Sequence, residues 1–288
     1  MDMEHLRAEG GWFGIKNKSR FAVTGSDRLR YLNGQVSNDL RKLAPGEAMQ
    51  ACILSAKGKL DGVVWIWNED DRYIVEGESS LAESLAMRLE RYVVADDVEI
   101  AALPHEDLMH VFGSGVEVAA ALPGARRISR LGLPGVDISS GEQLPGSLRE
   151  ASTDEVERLR IEQRVPYWGA ELTPDTLPAE AGLDVTAVDF HKGCYIGQEV
   201  VSRIRSVGHA NRSLRVFDTL GDCHPAPGDE FFAAGEPGRS AATVTSVHFT
   251  LSSGVGLCYI RRGTAEGAVL EAPSGGSRIQ LRPCVTSS

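Results

Sequence analysis

The residues whose types and spacing most readily do chemistry lie between Phe190 and Arg203, in FHKGCYIGQEVVSR. Gly193 and Gly197 bracket Cys194, Lys192 lies two residues before it, and Gln198, Glu199 and Arg203 follow. The helical signal QEVVSRIR begins near Gly197. That sets Cys194 just ahead of a helix N-terminus, where unpaired N–H groups and the macrodipole favour an anion. A thiol in that place, with Lys192 adding positive charge, is expected to ionise more readily than a free cysteine. The glycines admit backbone approach that larger residues obstruct. The plainer alternative is a small buried hydrophobe in a turn before a helix.

The elements that must position this stretch follow from periodicity and turn chemistry. Phe21, Ala22 and Val23 read as a strand, and Ser26 and Asp27 offer N-cap oxygens to a helix bearing Leu29, Leu32 and Val36. MQACIL and VVWIW flank SAKGKLDG, which predicts a hairpin between residues 49 and 67. Trp65 and Trp67 alternate onto one face of its second strand, where they line a funnel or pack in the core; we read them as core. RYIVEG is a further strand, and Ser80 with Glu83 opens a helix whose Leu81, Leu85 and Leu89 face the core. VEIAAL and LMHVF read as strands, and GVEVAAAL as a short helix. Glycine and proline between residues 121 and 146 predict loops. Ser152 and Glu155 form a capping-box pattern for a helix through Val156, Leu159 and Gln163 that ends near Pro166, with Glu162 close to its C-terminal end. From about residue 210 the chain turns to short strands: LRVFDTL, DEFFAAG, AATVTSVHFTL, VGLCYI, AVLEA and RIQLR, as in a compact antiparallel sheet or barrel.

A chain of 288 residues forms one large domain or two to three packed ones. Its formal charge of -10 argues against direct binding to nucleic acid, although local basic groups can hold a small anion. Five cysteines without a C-x-x-C pair fit a reducing compartment and indicate neither a disulfide framework nor a zinc site. The seven histidines have no metal-ligand spacing, so no metal site is expected. SAKGK is not a phosphate loop, because the preceding glycine pattern is missing. The N-terminus has neither a secretory nor a transit pattern, and no segment approaches the roughly 20 apolar residues of a membrane span. A cytoplasmic location with no membrane contact is expected.

KGCYIGQE at Lys192 to Glu199 resembles the signature of the YgfZ branch of the folate-binding family related to the glycine cleavage system T-protein. YLNGQVSNDL at Tyr31 to Leu40, LSAKGKLDG and RIEQRVPYWGAELTPDTLPAEAGL at Arg160 to Leu183 are similar to the segments that precede that signature, in the same order. The ordered matches run from about residue 21 to residue 215, and the C-terminal strands match in type only. The resemblance implies an α+β fold, a three-part ring of N-terminal and central α/β regions and a C-terminal antiparallel β-barrel. It divides the chain into a folate-binding region at 1–110 and 150–210 that includes the cysteine motif, a connecting part of the central region at 111–149, and the barrel at 211–288.

What the resemblance implies about function is a protein that binds tetrahydrofolate or a one-carbon derivative. Such a protein would act as an accessory in iron–sulfur cluster assembly or repair, affecting tRNA modification, with Cys194 as reactive thiol assisted by Lys192. Its partners would be folate and iron–sulfur client or assembly proteins. Glu162 matches the carboxylate set against the pterin, and Arg212 the basic residue facing the folate's acidic tail, with Arg203 and Arg205 secondary. Gly193, Tyr195, Gly197, Gln198 and Glu199 come with the motif as part of the cofactor site. The alternative is a folate-dependent aminomethyltransferase or demethylase acting on a small amine or carrier protein. T-protein enzymes carry an aspartate pair in the hairpin, which here reads Asp61-Gly62, so Asp61 alone is left for proton handling. A third possibility is a scaffold whose cysteine is merely packed.

Overall fold

The computed structural model describes residues 3–144, 146, 148–234, 236, 238–250, 253–273 and 275–283. Cys284, and Leu251 at the end of one expected strand, lie outside the described residues. Helix α1 (Met3–Glu9) leads into strands β1 (Gly11–Ile15) and β2 (Lys18–Thr24). Helix α2 (Arg28–Gln35), strands β3 (Ala48–Leu54), β4 (Leu60–Asn68) and β5 (Tyr73–Glu78), helix α3 (Ala82–Glu90) and strand β6 (Glu99–Ala102) follow. Then come β7 (Leu108–Phe112), the short helix α4 (Val116–Ala119), β8 (Arg126–Arg127) and β9 (Gly135–Ser139). Helices α5 (Thr153–Glu162), α6 (Leu183–Thr186) and α7 (Gln198–Ser206) precede the last strands. Those are β10 (Arg212–Leu220), β11 (Glu230–Ala233), β12 (Ala242–Phe249), β13 (Gly254–Arg261), β14 (Val269–Glu271) and β15 (Arg278–Leu281).

These strands make a five-stranded sheet in the order β3-β4-β5-β2-β6, a four-stranded sheet in the order β1-β7-β9-β8, and a closed barrel in the order β10-β13-β12-β11-β14-β15. Neighbours in all three are antiparallel. Strand β1 pairs along its length with β7, so the smaller sheet draws on residues 11–15 as well as on the stretch after residue 107. Helices α2 and α3 cover one face of the larger sheet, burying Leu32, Val64, Ile66, Val75, Leu85 and Leu89 in one core. Leu85 seats directly on the sheet because glycines lie beneath it. A Cβ on Gly77 would come within 2.4 Å of Leu85 Cδ1, and one on Gly62 within 2.9 Å of Leu85 Cδ2. The opposite face turns to the smaller sheet, where Trp67 is buried against Ala22, Ile74 and Ile128 as the alternation predicted. Trp65, on the same face, is only partly covered.

The capping box of α5 forms: Ser152 Oγ accepts the Glu155 N–H, and Glu155 accepts the Ser152 N–H. The helix stops at Glu162 because Arg164 takes a left-handed φ of 56° ahead of Pro166. Two expected caps do not form. Asp27 instead accepts the Asp97 N–H, and Ser26 donates to the Asp97 carboxylate, which ties the turn before α2 to the turn before β6. Helix α3 begins one residue later than Ser80 predicts, with Leu81 as N-cap and no side-chain cap. In the barrel, Phe217, Phe231, Val244, Cys258 and Ile279 fill the interior, while Leu214, Val216, Leu257 and Tyr259 pack outward with Ile161 of α5. A bulge between Val244 and Ser246 interrupts the β12 register. No helix among the described residues is long and apolar enough to cross a membrane.

Glu155→Ala should lower stability at pH 7 by about 1 kcal/mol, the usual cost of a lost cap. Arg149 and the Ser152 groups hold the Glu155 carboxyl down to about 2, so its contribution is present above the ordinary carboxylate range and is lost as pH falls towards 2. Urea melts of the two proteins at pH 7 and pH 2.5 should show the gap closing on the acid side.

Candidate functional site

The cysteine loop is fastened at both flanks. Lys192 is buried, and its ammonium donates to the carbonyls of Asn33 at 2.6 Å, Val36 at 2.7 Å and Asn38 at 2.7 Å. These oxygens belong to the last turn of α2 and the turn after it, where a cation is favoured by the helix dipole. An ammonium has three donors, and all three are taken up. Lys192 thus anchors the loop to α2 and the turn after it. Burial lowers its pKa to about 8. On the other flank Tyr195 is buried with Cys52, Leu54, Leu60, Leu172 and Val201, and burial pushes its hydroxyl up to about 12. Between these anchors Cys194 is exposed, whereas Cys52, Cys223 and Cys258 are buried.

Helix α7 starts where the sequence predicted, with Gly197 as N-cap at a φ of 85°. Gly197 also packs against the hairpin: a Cβ there would lie 2.6 Å from the Ser55 carbonyl oxygen, and one on Gly58 would lie 2.8 Å from Val200 Cβ. The two glycine motifs thus meet in one contact, where a side chain at either position would be crowded. Gln198 Nε2 donates to the Gly193 carbonyl at 3.4 Å, closing the loop over Cys194, and Glu199 is exposed in the first turn of α7.

A cavity of about 260 Å³ opens between the two sheets, α5 and the segment 165–172. Its walls include Phe13, Val63, Trp65, Tyr167 and Trp168, with Glu76, Arg130 and Arg160 among the polar lining. Arg160 closes one side. It binds Glu157, the Val165 carbonyl, Glu171 and, from the barrel, Ser246, whose hydroxyl in turn donates to Glu171 at 2.6 Å. The β12 bulge aims Ser246 at this network.

The structure does not gather all the residues the sequence singled out. Cys194, Glu162, Arg203, Arg212 and Asp61 are not part of this cavity's lining. Glu162 accepts from Arg7 at 2.7 Å and from Arg158 at 3.0 Å, so its carboxylate is already satisfied. It leaves the cavity side of α5 to Val156, Glu157 and Arg160. Arg212 pairs with Glu180 at 3.1 Å and lies over the Tyr259 ring; Arg205 lies over the Phe190 ring; Arg203 is exposed. Asp61 is held by Arg88 at 3.2 Å and faces a different hollow, with Ser84, Met87 and Trp168.

Sequence reasoning missed a buried chain of charges beside the cavity. Glu76 of β5 lies 2.7 Å from Arg130 Nη2, Arg130 forks onto Asp137 of β9, and Asp137 meets His110 Nδ1 of β7 at 2.8 Å. Burial pulls the His110 pKa down, and burial pushes that of Glu76 up. Burial also works against the charge on Asp137, but Arg130 and His110 outweigh it and hold the carboxyl below its ordinary range. The available signal was a single ionisable residue inside each of the apolar strands YIVEG, LMHVF and GVDIS.

No family model matches the chain. It is 27% identical over 250 residues to the tRNA-modifying protein YgfZ of Cronobacter sakazakii, across 77% of this chain and 75% of that protein. It is 28% identical over 250 residues to the protein of that name from Yersinia pseudotuberculosis, across 78% and 76%. Among solved structures, the glycine cleavage system aminomethyltransferase T from Bartonella henselae matches with a TM-score of 0.80, covering 97% of this chain and 87% of that one at 19% identity. The fold is therefore the T-protein fold.

Two measurements probe the anchored loop. Lys192→Met, which leaves three buried carbonyls without their donor, should destabilise the protein by about 3 kcal/mol in urea melts. Alkylation of the native protein followed by peptide mapping should label Cys194, with Cys52, Cys223 and Cys258 reacting only after unfolding.

Proposed function

We propose that this homologue of the YgfZ tRNA-modifying proteins, built on the T-protein fold, is a tetrahydrofolate-binding accessory protein of iron–sulfur enzyme assembly or repair. Through one such enzyme it affects tRNA modification in the cytoplasm. Its net charge of -10 favours a protein partner over direct contact with tRNA.

The observation that carries this reading is the presentation of Cys194, exposed between two buried neighbours, Lys192 and Tyr195. A loop held by the core on both sides offers its middle residue to a partner. Iron–sulfur clusters take about four ligands, and among the described residues no group of three or more His, Cys, Asp or Glu side chains is arranged to hold a metal ion. The remaining ligands would come from a client protein, a second copy of the chain or a small thiol.

The cavity suits a reduced folate. Its aromatic and aliphatic walls fit a flat ring system. When bound, the folate supplies a one-carbon unit or its acceptor; the chain's own residues bind and orient it and exclude water. Aminomethyl transfer or demethylation finds less support. Asp61 is engaged by Arg88, and a carboxylate in place of Gly62 would collide with Leu85.

Cys194→Ala is the test. It should bind tetrahydrofolate within about twofold of the unmodified protein by calorimetry, yet fail to restore iron–sulfur enzyme activity in cells lacking the gene. Equal loss of both properties would show that the cysteine is structural.

A further inference from the structure

We propose that the hollow between α6 and α7 is a second ligand site, which takes the α-amino-carboxylate head of a free amino acid or a short γ-glutamyl peptide. Arg205 receives the carboxylate and Asp184 the ammonium. The site is separate from the central cavity and does not depend on the folate reading.

The hollow has a volume of about 320 Å³ and is lined by Asp184 of α6, by Phe190, by Val201, Ile204 and Arg205 of α7, and by His209. The Arg205 guanidinium carbon lies 3.9 Å from the centre of the Phe190 ring. A guanidinium held by its face keeps its N–H edge for a planar anion. Asp184 and Arg205 line one hollow, yet neither forms an ion pair with the other or with any described residue. Charges at adjoining positions do pair: Lys42 with Asp189, and Arg212 with Glu180.

Opposite charges that share a hollow without meeting leave room between them for a head group carrying both signs. Phe190, Val201 and Ile204 give its carbon chain an apolar floor. The tail of folate does not match this pattern, because its glutamate nitrogen is an amide and its carboxylates would be repelled by Asp184. The hollow also lies along the helix that begins beside the Cys194 loop. From Gln198 to Arg205 the helix advances about 10 Å, a distance that about three extended residues span. A γ-glutamyl tripeptide thiol has the length to reach from the hollow to that loop, whereas a free amino acid does not.

The experiment is a methyl-resolved NMR titration of the full chain under reducing conditions, with glutathione, cysteine and the N-acetylated form of each, into the millimolar range. The methyl signals of Val201 and Ile204 should shift saturably with glutathione or cysteine. N-acetylation, which removes the ammonium, should weaken binding by about 10-fold, as should Arg205→Leu and Asp184→Asn. Arg203→Leu, on the same helix but outside the hollow, should bind as the unmodified protein does. Tighter binding of glutathione than of cysteine identifies the peptide as the source of the head group, and equal affinity identifies the amino acid head alone. No saturable shift with either, undiminished binding of the N-acetylated forms, or an equal loss in Arg203→Leu and Arg205→Leu overturns the assignment. Thermal unfolding of the variants runs in parallel, and the N-acetyl comparison on the unmodified protein decides even where a variant unfolds.

Discussion

A cation buried away from water must find acceptors on several sides at once, and the site in this protein depends on that requirement. Arg160 meets it with Glu157, Glu171, the Val165 carbonyl and Ser246, joining α5, the segment after it and the barrel. Arg130 meets it with Asp137 and Glu76, joining the two sheets. Lys192 meets it with three carbonyls around the end of α2, joining the cysteine loop to the larger sheet's helical layer. Removing either partner of such a buried contact leaves the other uncompensated, a loss of about 3–5 kcal/mol for ion pairs. The three junctions are therefore fixed more sharply than apolar packing alone would fix them.

The arrangement separates two chemistries. The cavity has aromatic and aliphatic walls, which suits recognition of a ring system. Cys194 is exposed to solvent beside Tyr195, which packs in a wall of apolar side chains with Leu54, Leu60 and Leu172. Leu172 belongs both to that wall and to the cavity lining, so the two regions share packing although they share no surface.

Local signals carried the elements well where one interaction dominated. The Ser152–Glu155 box is reciprocal and complete within four residues, so it was legible and it formed. Ser26 and Asp27 looked equally good as caps, yet their polar groups were drawn to Asp97, about seventy positions away, because that turn lies alongside in the folded sheet. Trp67 was legible as core from alternation; its neighbour on the same face, Trp65, lies at the cavity, since the smaller sheet covers only part of that face.

The sequence by itself determined the thiol motif, the glycine hairpin, the order of α and β segments and the barrel, because each is written in spacing over a few to a few dozen residues. It also supplied the resemblance that the T-protein fold bears out. Tertiary structure decided the roles of the charges. Lys192 is two residues from Cys194 in the chain but points its donors into α2 and the turn after it, and Glu162 is drawn to Arg7 from the N-terminal helix. Glu76, an unremarked strand residue, becomes part of a buried charge network only when β5, β7 and β9 bring it near Arg130, Asp137 and His110. Sequence spacing specifies neighbours along one element. The state of a charge depends on what surrounds it in space, and those groups come from elements far apart in the chain.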